Sequence, residues 1–282
     1  MSMLNRSRGA QISSHLVLFL GVALVVFPLF ITFIASTQTS SDISQAPMSL
    51  LPGNEMIDNY RRALFESDAG RATVSRMLWV SFVVAMGIAV GKIILSLLAA
   101  FAVVFFRFPF RGLCFGLIFV TLMLPVEVRI SPTFAVVAGL HLTNTYAGLI
   151  LPLTASATAT FLFRQFFMTV PDELVEAAMV DGAGPMRFFF DILLPLSKTS
   201  IAALFVIQFT YGWNQYLWPL VMKTTESMTT IVIGISAMMG SNDGTADWGV
   251  VMATTILAMI PPCIVVIGMQ KWFVKGLVDG DK

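Results

Sequence analysis

Long apolar runs alternate with short polar connections along this chain. Leu16 to Ala35, Met77 to Phe106, Leu113 to Val126, Tyr146 to Phe163, Ile201 to Leu217 and Gly249 to Met269 are the runs, six in number. An α-helix crosses a bilayer's hydrocarbon core in about 20 residues, so the pattern predicts an all-α, polytopic membrane protein with six transmembrane helices. The first run is longer than the ~7–15 apolar residues of a cleaved signal peptide, and Ala35-Ser36-Thr37 is a poor cleavage site, so a retained first helix is expected. Pro28, Pro261 and Pro262 fall inside spans, which membrane helices tolerate.

One segment departs from the pattern. Val170 to Leu196, VPDELVEAAMVDGAGPMRFFFDILLPL, has a polar face and no lipid-length apolar run. Pro171 suits a first helical turn, and Asp172 and Glu173 meet the positive end of the helix dipole. Gly182 reads as the stop, because a glycine supplies the left-handed cap. Pro185 then opens a second short helix carrying Met186 to Phe190 toward Pro195. The prediction is a helical hairpin at a membrane surface, with Arg164, Arg187 and Lys198 around it and an apolar side open to a partner.

The connections set the orientation. Ser36 to Arg76 is polar, with turns at Pro47, Pro52 and Gly53, and reads as an external loop with some local helix. Val221 to Trp248 is a second outer loop, whose apolar stretch Ile231 to Met239 is too short to span. Arg6, Arg8, Arg107, Arg111, Arg164, Arg187, Lys198, Lys271, Lys275 and Lys282 then lie inside, against Arg129 and Lys223 in the last two outer loops. By the positive-inside rule both termini and the hairpin face the cytoplasm.

Polar positions within the spans are few. Lys92 interrupts the second span. A lysine near mid-membrane costs about 2.5–3.5 kcal/mol on the insertion scale, so it must face protein or water, either on a solute path or hydrogen-bonded between helices. Gly87 and Gly91 let another helix approach closely. Thr154, Ser156, Thr158 and Thr160 alternate in the fourth span, so only part of the set shares a face. Gln208, Tyr211, Gly212 and Gln215 form one polar stripe on the fifth, available to a pathway or to interhelical hydrogen bonds. Tyr216 and Trp218 read as an interfacial aromatic belt, with Pro219 ending the helix. Glu127 and Arg129 are two apart and cannot point the same way from a regular helix. Either Pro125 breaks the helix or each finds its own partner.

Composition agrees. Hydrophobic residues make up 57% and charged residues 12% of the chain, and mean hydropathy is +0.84, far from soluble domains. The net charge of +1 gives no basic surface for nucleic acid. Cys114 and Cys263 both sit in apolar runs and read as small hydrophobes, not as a disulfide or a metal pair. No phosphate-cradling G-x-x-x-x-G-K-[ST] loop is present, and no HExxH, cysteine cluster or nucleophile elbow. Asp181-Gly182-Ala183 has the opening of a lipid-headgroup phosphotransferase motif without the arginine and later aspartates that would bind metal. No catalytic residue, metal site or cofactor is expected in this chain, and its energy must come from another subunit or an ion gradient.

Glu176-Ala177-Ala178, then Gly182, Ile192 and Leu194-Pro195 resemble the EAA loop of ATP-binding-cassette importer permeases over about 20 residues. The resemblance implies a coupling helix that docks on an ATPase subunit, with Glu176, Ala177, Ala178, Asp181, Gly182, Ile192, Leu194 and Pro195 as the coupling residues. Trp213-Asn214-Gln215-Tyr216-Leu217-Trp218-Pro219-Leu220 is similar to the carbohydrate-type group with the maltose system's smaller permease. LMLPVEVRISPT, SATATFLFRQFFMTVPDELVEAA and GLVDGDK resemble E-type permeases of glycerol-phosphate importers over nearly the whole chain, least in the outer loops. The kinship implies one permease domain spanning 1–282 in a bacterial inner membrane, and import of sn-glycerol-3-phosphate and glycerophosphodiesters. It also implies an A-type second permease, two ATPase subunits that bind ATP and Mg, and a periplasmic substrate-binding protein. For an anion importer, Arg129 becomes a candidate phosphate contact or an outer-interface ion pair. Glu127, Arg129, Gln208, Tyr211 and Gln215 are the candidate pathway residues. Another sugar or polyol importer, or an ion-coupled carrier, is the alternative; the latter usually shows paired broken helices and intramembrane acids.

Overall fold

The computed structural model describes residues 8–66, 71–121, 126–240 and 246–279, with the side chains of residues 8–11, 126–127 and 273–279 outside the description. Among the described residues all regular structure is helical. In chain order the helices are α1 (Arg8–Ala35), α2 (Ser40–Ile43), α3 (Met56–Phe65), α4 (Val74–Phe105), α5 (Arg111–Val120), α6 (Val126–Gly139), α7 (Tyr146–Ile150) and α8 (Ala157–Phe167). There follow α9 (Asp172–Val180), α10 (Pro185–Phe188), α11 (Leu194–Leu196), α12 (Lys198–Trp213), α13 (Leu217–Met222), α14 (Ile231–Met239) and α15 (Trp248–Asp279).

Three of these are continuous and apolar enough to cross a bilayer: Ile12–Ala35, Val74–Phe105 and Trp248–Trp272. Two more candidate spans are bent pairs. Tyr146–Leu153 with Ala157–Phe167 bends by 49°, and Pro185–Leu196 with Lys198–Trp213 by 73°. The helix expected for the fourth span is therefore interrupted between Leu153 and Ala157. It stops in a 3-10 turn, Leu151–Leu153, and restarts under an N-cap in which Ser156 accepts from the Ala159 N–H. For the expected third span only the ten residues of α5 are described before residues 122–125. The expected break at Pro125 lies outside the described residues.

The chain forms two compact units. The first comprises Met1–Ser75 and Ile235–Met259. Residues 36–66, expected to be an external loop, fold there around a buried polar centre. Asn59 donates to the carbonyls of Ser36 and Gln38, and Gln38 donates to those of Ser49 and Leu51. Arg62 pairs with Asp247 at 2.6 Å, and Ser40 donates to the same carboxylate. Buried backbone groups outside a helix need such partners, which is why side-chain amides sit in this core.

The second unit, Arg76–Gly234 with Ile260–Lys282, has two apolar clusters. One joins Val80, Val84 and Ile88 of α4 to Val137, Leu149, Leu153, Trp218 and Met222. The other joins Ile93, Leu97, Ala100 and Phe101 to Ala159, Phe163, Phe167, Ala178, Phe188, Phe189, Leu193 and Leu204. Thus α4 runs through both clusters, with Lys92 beside their junction. The expectation that Pro219 ends the fifth span is not met. Helix α12 stops at Trp213, and Pro219 sits inside α13, in a first turn where its missing N–H costs nothing.

Candidate functional site

The hairpin folds as its residues dictate. Helix α9 begins after Pro171 with Asp172 and Glu173 in its first turn. It ends in a Schellman cap: the Ala183 N–H donates to the Ala178 carbonyl and the Gly182 N–H to that of Met179. Gly182 holds φ +71, a left-handed conformation that a β-carbon disfavours. Pro185 starts α10, and Phe189–Leu193 form a single π turn before α11. Such π turns recur at functional sites.

Its two faces differ. Ala178 is buried, and Ile192 and Leu194 pack partly buried against the same cluster. Glu176, Ala177, Asp181, Gly182 and Pro195 are exposed. Met179 and Val180 are exposed too, Val180 to 88%. Of the sequence-predicted coupling residues, then, Ala178 faces this chain's own core, and the outward surface includes an apolar pair that the motif does not contain.

Phenylalanines anchor the hairpin. Phe101 of α4 stands 4.9 Å from Phe189 and Phe105 stands 5.4 Å from Phe188, centroid to centroid. Phe105 also contacts Phe167 of α8 at 6.0 Å. Ring pairs at these separations add about 0.5–1.5 kcal/mol each beyond area burial. Between the end of α4 and the hairpin lies a cavity of about 260 Å³ lined by Phe101, Phe106, Arg107, Val175, Met179 and Phe188 among others. The signal in the sequence was the density of phenylalanine in FFRFPF and RFFFD.

The polar residues of the spans converge elsewhere on α4. Lys92 is 6% exposed, and its ammonium donates to Gln208 Oε1 at 3.0 Å and lies 3.6 Å from the centre of the Tyr211 ring. Gly212, the next stripe position, packs against the Ala85 backbone. Gln215 lies beyond α12 and turns its amide back to the Tyr211 carbonyl. Arg129 is exposed on α6 and borders a small cavity of about 40 Å³ with Ile130, Thr133, Pro152, Leu153 and Trp218. The side chain of Glu127 lies outside the described residues. Among the described residues no cluster of His, Cys, Asp and Glu could hold a metal ion.

Residues 92–279 match the family described as binding-protein-dependent transport system inner membrane component. The chain belongs to that family. This inner membrane component is 59% identical, over 97% of its own length and 98% of the relative's, to the sn-glycerol-3-phosphate transport system permease protein UgpE of Brucella melitensis. The proteins of the same name from Agrobacterium fabrum and Salmonella typhi are 59% and 55% identical, covering 97% and 99% of this chain and 98% and 100% of theirs. In fold, the inner membrane component matches a chain of a bacterial ABC transporter involved in the import of the acidic polysaccharide alginate. The TM-score is 0.79 at 21% identity, covering 97% of this chain and all of that one. The apolar helices are accordingly those of a multi-pass inner membrane protein.

Proposed function

We propose that this chain is one permease half of an ATP-driven importer of sn-glycerol-3-phosphate and related glycerophosphodiesters. The observation that carries the reading is the two-faced hairpin α9 to α11. Its inner face is bound to α4 by Phe101–Phe189 and Phe105–Phe188, while Glu176, Ala177, Met179, Val180 and Asp181 are left outward. A surface helix so anchored passes a push to the helix beneath it as a rigid body. The pusher is a separate ATPase pair that binds ATP and Mg. Its closure draws this hairpin toward that of the second, A-type permease, and the spans exchange inward-open and outward-open packings against a loaded periplasmic binding protein. Glu176 and Asp181 offer charge, and Met179 and Val180 apolar contact, to the ATPase cleft, with the hairpin and both termini on the cytoplasmic side. This chain performs no chemistry of its own. The substrate reading rests on relatives that match along nearly the full chain.

The test is co-expression with the second permease, the ATPase and the binding protein, then uptake of labelled sn-glycerol-3-phosphate into proteoliposomes containing ATP. Uptake that competes with glycerophosphodiesters and not with neutral sugars is expected. A complex that imports sugars or polyols and ignores the phosphate ester would overturn the substrate.

A further inference from the structure

Lys92 stands near the middle of the 32-residue α4, where an ammonium is costly unless compensated by an opposite charge or a full set of acceptors. It has neither among the described residues. Its hydrogen-bond acceptor is the neutral amide oxygen of Gln208, and its other neighbour is the face of the Tyr211 ring. An ammonium carries three donors, and one is committed to Gln208. Among the described residues, the charged side chain whose field reaches Lys92 is Arg129, of the same sign.

The backbone adds to this field. Ser96, one turn beyond Lys92 on the same face of α4, donates to the Ser156 carbonyl at 3.3 Å. A β-carbon on Gly91 would lie 2.6 Å from Thr154 Cγ2. Both contacts fall at the break in the fourth span, so the positive N-terminal end of the eleven-residue α8 begins beside the turn that carries Lys92. Broken transporter helices present such ends to anionic groups of a solute.

We infer that Lys92, flanked by Gln208 and Tyr211 and beside the N-terminal end of α8, is an anion site within the membrane that receives the phosphate group of the solute. A phosphate ester supplies what the described residues around Lys92 do not: negative charge to answer the ammonium, and several acceptor oxygens for its donors. Gln208 and Tyr211 hold the ammonium in place between passages and compensate its charge only in part. The phosphate class rests on the reading under Proposed function; the anion site rests on the geometry of Lys92.

Two readouts on the same assembled transporter test the site: uptake of labelled sn-glycerol-3-phosphate, and saturation transfer from the complex in nanodiscs to the ³¹P line of inorganic phosphate. Lys92→Gln keeps a donor for Gln208 and removes the charge; Lys92→Arg keeps the charge. The loss of a charge-assisted hydrogen bond predicts that Lys92→Gln lowers uptake roughly tenfold or more and abolishes the phosphate signal, while Lys92→Arg retains both in part. Arg129→Gln weakens both to a lesser degree. A wild-type complex with no ester uptake but a Lys92-dependent phosphate signal would sink the substrate and keep the site. Unchanged uptake and signal in Lys92→Gln would overturn the site, as would a Lys92→Gln complex that fails to assemble, since that makes the lysine a packing residue.

Discussion

Phe101 and Phe189 meet with ring centroids 4.9 Å apart, one on the span that carries Lys92 and the other in the π turn of the surface hairpin. Both are about 4% exposed. This contact joins the proposed site of force entry to the helix that bears the buried cation.

Phe189→Ala removes a buried ring and should cost about 3–5 kcal/mol in the stability of this unit. Phe189→Leu, which keeps most of the volume, should cost less. Thermal unfolding of the detergent-solubilised complex, with uptake per ATP hydrolysed, checks both. The complex holding the alanine variant is expected to hydrolyse ATP with reduced transport, and an unaltered ratio would remove the contact from the coupling route.

Gly182 has nothing within 4 Å of an added β-carbon. Gly182→Val therefore acts through backbone conformation alone, at about 1–2 kcal/mol for a left-handed branched residue. It should lower uptake per ATP while leaving membrane insertion intact. Gly182→Asn, which tolerates the left-handed region, should restore most of the coupling. Equal behaviour of the two variants would mean that the cap geometry does not matter.

Much of the hairpin was legible because its signals are local: Pro171, Asp172 and Glu173 start a helix, Gly182 caps it and Pro185 starts the next. The continuous spans were legible by length and apolarity. What escaped depends on residues far apart. Lys92 and Gln208 are 116 positions from each other, and no periodicity links them. The inward turn of Ala178 follows from where α4 and α8 lie, not from the motif. Residues 36–66 read as loop because their polarity suggests solvent, whereas Asn59 and Gln38 are buried to satisfy backbone carbonyls. Pro152, at the 3-10 turn, was the one local hint of the break in the fourth span.

Close packing gives a contrast between glycines. A β-carbon on Gly148 would fall 2.1 Å from the Leu142 carbonyl oxygen, and the Gly148 carbonyl accepts from Trp218 Nε1. On Gly116 it would meet nothing within 4 Å. Gly148→Ala should destabilise by about 1–3 kcal/mol or more, as overpacking against backbone does, and Gly116→Ala should be near neutral. Melting temperatures of the two complexes decide it; equal values would contradict the packing described.

Burial pushes the Asp247 carboxyl up, but the Ser40 hydroxyl and the Arg62 guanidinium outweigh it and hold the group below the usual carboxylate range. A depressed folded value means that the contact stabilises fully above the unfolded value of about 4 and is lost as pH falls through the lower folded one. Amide exchange in α3 should stay slow down to about pH 4, once corrected for its intrinsic pH dependence, and then accelerate on further acidification. Asp247→Asn should show no such step. A step of the same size in that variant would assign it to another group.

A separate ATPase that drives this chain through its hairpin makes uptake depend on that subunit. Uptake of labelled sn-glycerol-3-phosphate should be measured in proteoliposomes holding this chain and its partner permease, with a loaded binding protein, with and without the ATPase subunits. The expected result is uptake that requires both the ATPase and ATP and falls in Gly182→Val. Uptake driven by an ion gradient with no ATPase present would contradict it.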